Sequence, residues 1–247
     1  MTTTEVQNLS TTELTKRFGG VTAVDTATVK FRHGLINALI GPNGSGKTTF
    51  FNCVTGMIQP DSGTVSYRGK DITGRTADRV AGTGIGRSFQ LCRTFPQMTV
   101  LENMLVGVSG STVAMMRSSK AKDVVERARG LLHRVGIDHL EHAEARNISY
   151  GQQKLLELAG VLMSDPETIM LDEPAGGVNP ALIERIMTLI SELNKEGKTF
   201  LIVEHNMDLV MTLSDHVIVF DRGQPIATGT PQEVQADPRV LEAYLGI

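Results

Sequence analysis

The sequence predicts an α/β fold built on a doubly wound parallel sheet, and three observations carry that expectation. Val29–Ile40 runs apolar into the glycine-rich stretch that starts at Gly41, as a strand entering a loop does, and Thr48–Met57 then reads as a helix. Thr168–Leu171 and Thr199–Val203 are short apolar runs of the kind found in strands buried on both faces. Between them Leu182, Ile186, Leu189, Ile190 and Leu193 recur at helical spacing, which completes a strand, helix, strand unit.

Other segments decorate this core. Asp61–Ile72, with Gly63, Gly69 and alternating Val65 and Tyr67, reads as a hairpin on its edge, and Val217–Ile226 around Arg222-Gly223 reads as another. Strand signals are sparse from Leu101 to Ala145, while Val124, Ala128, Leu131, Leu132 and Val135 share one helical face. The expected organisation is a single domain over 1–247, with a core lobe at about 1–89 and 165–247 and an inserted helical lobe at about 90–164.

Composition narrows the function classes. Lys plus Arg is 24 against 27 for Asp plus Glu, a net charge of −3, so the excess positive charge of a duplex-binding protein is missing. Eight Phe, three Tyr and no Trp make a poor stacking platform for single strands, so nucleic acid is not expected as a partner. Cys53 and Cys92 make neither a disulfide framework nor a zinc cluster and read as buried or incidental thiols. His139 and His142 have no further ligand type close by and read as solvated surface rather than a metal site. Met1–Thr15 is threonine-rich and polar, without the basic-then-apolar order of an export signal, and no window approaches the length of a membrane span. The chain is therefore expected to stay in the cytosol and to reach a membrane only through a partner.

The chemistry starts at Gly41-Pro42-Asn43-Gly44-Ser45-Gly46-Lys47-Thr48, which fits the phosphate-loop pattern at every fixed position and lies between a strand and a helix. Glycines let backbone N–H groups curl round an anion, the helix start adds partial positive charge, Lys47 reaches the terminal phosphates, and the Thr48 hydroxyl suits Mg²⁺. Together with Thr49 these residues form the candidate nucleotide-binding set. The apolar run ending at Leu171 delivers Asp172 and Glu173 to the edge where open α/β sheets hold their ligands. Asp172 is the candidate for the Mg²⁺ shell and Glu173 for orienting and deprotonating an attacking water. Guanine specificity is disfavoured, because Asn194-Lys195-Glu196-Gly197 lacks the aspartate of a guanine-reading segment and precedes its strand.

A third motif narrows the family. Asn147-Ile148-Ser149-Tyr150-Gly151-Gln152-Gln153 leads into a helix with Leu155, Leu158, Ala159 and Leu162 on one side, and Ser149 followed by Gln152 is a capping-box pattern. With the phosphate loop, the Asp172-Glu173 pair and this Ser-x-Gly-Gln segment in that order, the chain resembles an ABC transporter ATP-binding subunit over nearly its whole length. The resemblance implies a P-loop NTPase (RecA-like) core with antiparallel edge hairpins and an inserted helical subdomain. It also implies that Ser149, Gly151 and Gln152 sit on the γ-phosphate of ATP held by an opposite subunit. Phe18 resembles the aromatic residue that stacks on adenine, Gln90 the glutamine that touches Mg²⁺, and His205 the histidine that contacts the γ-phosphate. The implied catalytic set is thus Glu173, His205, Gln90 and Lys47, and the implied Mg²⁺ set is Thr48, Gln90 and Asp172. Two positions depart from the family's usual pattern besides Ile148: Tyr150 adds bulk inside the signature, and Asn179 stands where aspartate is common. Asn179 keeps an equal N-cap ahead of Pro180.

Gly86-Arg87-Ser88-Phe89-Gln90, Met98–Asn103, Ser149–Gln153, Glu173–Pro180 and the ending from Gly229-Thr230-Pro231 to Leu245-Gly246 resemble the branched-chain amino acid uptake branch, which implies branched-chain amino acids or a related small solute as cargo. Such systems pair two ATP-binding subunits with transmembrane permease subunits and, indirectly, a solute-binding protein, at the cytoplasmic face of the plasma (inner) membrane. Two other readings share the same motifs: a nucleotide-gated ABC scaffold ATPase outside transport, and a small-molecule kinase.

Overall fold

A computed structural model describes residues 7–88, 94–106 and 120–245; Phe89, Gln90, Cys92 and Gly246 lie outside the described residues. Strands β1 (Gln7–Phe18), β2 (Val21–Arg32), β4 (Ser62–Tyr67) and β5 (Lys70–Asp71) form an antiparallel sheet in the order β2-β1-β4-β5. A second sheet runs β10-β9-β3-β8-β7-β6, from β3 (Ile36–Ile40), β6 (Ile85–Arg87), β7 (Thr168–Asp172), β8 (Thr199–Val203), β9 (His216–Asp221) and β10 (Gln224–Gly229). All its pairings are parallel except the β9–β10 hairpin.

The helices are α1 (Lys47–Val54), α2 (Ala77–Ala81), α3 (Val100–Val106), α4 (Lys120–Val135), α5 (Tyr150–Leu162), α6 (Pro180–Lys195), α7 (Met207–Leu213), α8 (Pro231–Gln235) and α9 (Pro238–Leu245). The central strands are buried on both faces, so their side chains sort by alternation. Ile169 and Leu171 of β7, with Phe200 and Ile202 of β8, join the helical side together with Leu158 of α5 and Ile190 of α6. Met170, Leu201 and Val203 join the opposite side with α1 and the antiparallel sheet. That second face is where a doubly wound core would carry further helices; here the antiparallel sheet and α1 fill most of it, with Val80 of α2 at its margin. Helices α3, α4 and α5 pack on one another around Met104, Ala128, Leu132 and Leu158.

Several sequence expectations meet the structure directly. The Val217–Ile226 and Asp61–Ile72 hairpins form as β9–β10 and β4–β5, and β7, α6 and β8 follow one another as read. Two boundaries differ. The Val29–Ile40 run is two strands in different sheets, because the chain turns at Gly34 (φ 74°). Asn37 secures that turn: its carbonyl accepts from Arg32 N–H at 2.9 Å, and its amide donates to the Arg32, Leu35 and Phe200 carbonyls. The first helix ends at Val54 rather than Met57, closed by Gly56 at φ 71°. Of the cysteines, Cys53 is buried and its thiol is pushed up to about 11 by desolvation. No helix among the described residues is long and apolar enough to cross a membrane.

Helix α1 is held by aromatic packing. The ring of Phe50 lies 6.0 Å from Phe31 of β2 and 5.1 Å, edge-on, from Phe220 of β9, and none of the three is exposed. Phe50→Ala is expected to lower unfolding stability by about 3–5 kcal/mol. Urea denaturation checks this, as a fall in midpoint at unchanged slope.

Candidate active site

Because β3, β8 and β7 are parallel neighbours, their C-terminal ends open on one edge of the sheet. The chain leaves β3 into Gly41–Gly46, leaves β7 at Asp172 into Glu173, and leaves β8 into Glu204 and His205. Three sequence-distant segments thus converge without any of them being near in the chain.

The loop wraps tightly. Gly41 (φ 147°) and Gly46 (φ 100°) adopt backbone that side chains avoid, and a Cβ at either would collide with backbone, the Phe220 carbonyl oxygen and the Ala23 carbonyl oxygen respectively. Lys47, largely buried at the first position of α1, turns back over the loop and donates to the Gly41 carbonyl at 2.8 Å and the Pro42 carbonyl at 2.9 Å. Burial holds its ammonium below the usual lysine range, while Glu173 and Asp172 oppose that shift. The closeness of Ala23 to Gly46 also puts the turn end of the β1–β2 hairpin beside the loop. Phe18 stands at that end paired with Val21, half-exposed at 49%, with the Lys16 ammonium 5.6 Å from its ring centroid. An exposed aromatic ring there is the chemistry that stacking on a purine base needs.

Asp172 is buried to 2% exposure and shares a salt bridge of 3.2 Å with Arg87 from the end of β6. Arg87 also donates to the Thr55 hydroxyl at 2.6 Å and lies over the Phe51 ring, so it pins the end of β6 to α1 and β7 together. Burial pushes the Asp172 carboxyl up, and the Arg87 charge pulls it back. Its Oδ2 faces Arg87, whereas Oδ1 is buried without a hydrogen-bond partner. Glu173, with φ at 51°, is a non-glycine residue in left-handed backbone, held by its N–H donating to the Val203 carbonyl at 2.9 Å. The exposed His205 puts Nδ1 3.7 Å from Glu173 Oε1. Beneath both, the fully buried Glu204 accepts from the N–H groups of Ala175, His205 and Asn206 at 2.8, 3.1 and 3.2 Å, tying the loop after β7 to the loop after β8.

Ser149 caps α5 as its sequence pattern indicates: its hydroxyl accepts from Gln152 N–H at 3.3 Å and Gln152 Oε1 accepts from Ser149 N–H at 2.8 Å. Asn179 likewise caps α6, accepting from Leu182 N–H at 2.9 Å ahead of Pro180. Ser149, Gly151 and Gln152 begin α5, which packs on the helical side of the sheet, while Asp172, Glu173 and His205 stand at or just beyond strand ends and Lys47 begins α1. Gln90 belongs to the undescribed stretch.

Three residues at the site were not singled out from the sequence. Arg87 carried only a family resemblance, and a pairing 85 residues apart leaves no local signal. Glu204 reads as the polar end of a strand. Tyr244 of α9 comes close to Gly41: burial pushes its phenol up and the Gly41 backbone draws it back, so the C-terminal helix reaches the start of the phosphate loop.

Comparison with known proteins gives the family. Residues 24–176 match the family described as ABC transporter, and residues 224–247 match one described as branched-chain amino acid ATP-binding cassette transporter. The high-affinity branched-chain amino acid transport ATP-binding protein LivG of Salmonella typhimurium is 42% identical, over 96% of this chain and 97% of its own. Its namesake in Escherichia coli is 40% identical over 96% and 97%. Among solved structures, a nucleotide-free ATP-binding cassette from an ABC transporter superposes with TM-score 0.87 at 36% identity, covering 98% of this chain and all of that one. A cassette structure in the ADP conformation gives TM-score 0.87 at 37% identity over 98% and 99%. The chain belongs to the ABC transporter family, as one of its ATP-binding cassettes.

Proposed function

We propose that the chain is the ATP-hydrolysing subunit of an importer for branched-chain amino acids and that it works through separate membrane subunits. The convergence of Lys47, Asp172, Glu173 and His205 on one sheet edge carries the reading, since these are the groups an in-line phosphoryl transfer to water needs. Relatives with branched-chain amino acid transport names span nearly the whole chain, which favours transport over a free-standing scaffold or a kinase.

The triphosphate of ATP lies in the curl of Gly41–Gly46 against the start of α1, with the Lys47 ammonium available to its terminal phosphates. The adenine stacks on Phe18. Glu173 orients the water in line and accepts its proton, and His205 donates to the γ-phosphate. The donor set fits Mg²⁺: the exposed Thr48 hydroxyl and the unpaired Oδ1 of Asp172 are hard oxygen ligands, with Gln90 as a third from the stretch not described. Bound there, the ion would neutralise charge on the β- and γ-phosphates.

Ser149, Gly151 and Gln152 face the nucleotide of a second ATP-binding subunit, so that two ATP molecules are enclosed between two chains. Closing and parting of the pair moves the helical lobe at about 90–164, which passes the motion to transmembrane permease subunits fed by a solute-binding protein. The chain then sits as a peripheral subunit on the cytoplasmic face of the membrane.

Glu173→Gln is expected to lower steady-state phosphate release by about 10²–10⁴ while ATP binding is retained; near-normal release would remove Glu173 from the base role. Gly46→Ala, which forces a Cβ onto the Ala23 carbonyl, is expected to weaken ATP binding by at least about 100-fold. Equilibrium titration with a fluorescent ATP analogue reads that loss.

A further inference from the structure

The first turns of α5 are keyed to the segment that carries Glu173. The Tyr150 ring lies along Gly177, close enough that a Cβ there would stand 3.2 Å from its Cε1, and Gly151 abuts Leu182 of α6. One turn further along, Lys154 is buried to 7% exposure, with its ammonium 5.8 Å from the Tyr150 ring centroid. That ammonium donates to the carbonyl oxygen of Glu173 at 3.3 Å, beside the Gly176 N–H, which reaches the same oxygen at 3.0 Å. It is also near enough to Asp172 for its charge to favour the carboxylate. Packing alone does not account for a lysine here, because an apolar side chain would fill the space without desolvating a charge. What the ammonium adds is a donor to one particular peptide, and that peptide belongs to a residue in left-handed backbone, a conformation that persists only where surrounding groups hold it.

We propose that Lys154 is a positioning residue for the reaction: by holding the Glu173 peptide it fixes where the Glu173 carboxylate points, and it does so from the helix that Ser149 begins. The proposal rests on the reading of Glu173 as the base. A shift of α5 when Ser149–Gln152 closes on the nucleotide of a second chain is then felt at the base of this chain's own site, which links the two reaction sites through one helix.

The test is a double-mutant cycle on the full chain, read by single-turnover ATP hydrolysis and by ATP affinity. Lys154→Met is expected to lower the hydrolysis rate about tenfold, with ATP affinity changed less than about twofold, and Lys154→Arg to restore most of the rate. In a Glu173→Gln background Lys154→Met should cause no further loss, since its effect passes through the carboxylate. A Lys154→Met loss that multiplies with that of Glu173→Gln would overturn the proposal, as would a rate untouched by Lys154→Met or an arginine variant no better than methionine. If Lys154→Met fails to fold, Lys154→Ala enters the cycle with the same expectations. Failure of the base reading is separable, because Glu173→Gln alone would then keep near-normal turnover whatever Lys154 does.

Discussion

Hydrogen bonding across β3, β8 and β7 puts Leu39, Val203 and Asp172 in one row of the sheet. Strands about 4.8 Å apart make that row about 10 Å wide, so the turn that leaves β3 and the carboxylate that ends β7 are held at one level. Everything chemical hangs from this row. A register slip of one residue in either pairing would turn Asp172 to the other face and take the carboxylate away from Lys47. The alternation of Ile169 and Leu171 toward the helices and Met170 toward α1 forbids the slip, because it would exchange two well-packed faces. Core packing and site geometry are therefore one constraint seen from two sides.

The row also sets the electrostatics. Lys47, Asp172 and Arg87 are all largely buried, and each would be costly alone. Arg87 spends one oxygen of Asp172 and leaves the other unpaired, and Lys47 is satisfied by carbonyls of its own loop. Donors already fixed in position need little rearrangement when charge develops on a phosphate, and this preorganisation is the larger part of what such a site contributes. Glu204 extends it without touching substrate: three N–H groups converge on one buried carboxylate, so the turns bearing Glu173 and His205 keep a set spacing.

The parts legible in the sequence are those whose physics is local. The phosphate loop, the Ser149–Gln152 capping box and the Asn179 cap each lie within eight residues, and hydrophobic period alone reveals β7, α6 and β8. What escaped depends on partners far along the chain. β1 is polar and threonine-rich and shows no apolar strand pattern, yet Thr11 is buried because its hydroxyl donates to the Ala27 carbonyl at 2.8 Å and accepts from Val29 N–H. The break between β2 and β3 is hidden inside an apolar run, since Asn37, the residue that enforces it, satisfies its amide with Phe200 on another strand. Arg87, Lys154 and Tyr244 look like ordinary surface residues until folding brings them to Asp172, Glu173 and Gly41.

Two of the departures from the family's usual pattern, Tyr150 and Asn179, meet on the same short loop. Tyr150 lies along the backbone of Gly177, whose φ of 73° and missing side chain leave the room the ring needs, and Asn179 caps α6 two residues later. The bulk that Tyr150 brings into the signature is thus absorbed by this chain's own loop, and it leaves the Ser149 cap intact. A glycine at 150 would leave Gly177 without its cover and Lys154 without the ring beside its ammonium. In this chain the tyrosine is part of the packing that joins the start of α5 to the turn after β7, and a change at either end has to be accommodated at the other.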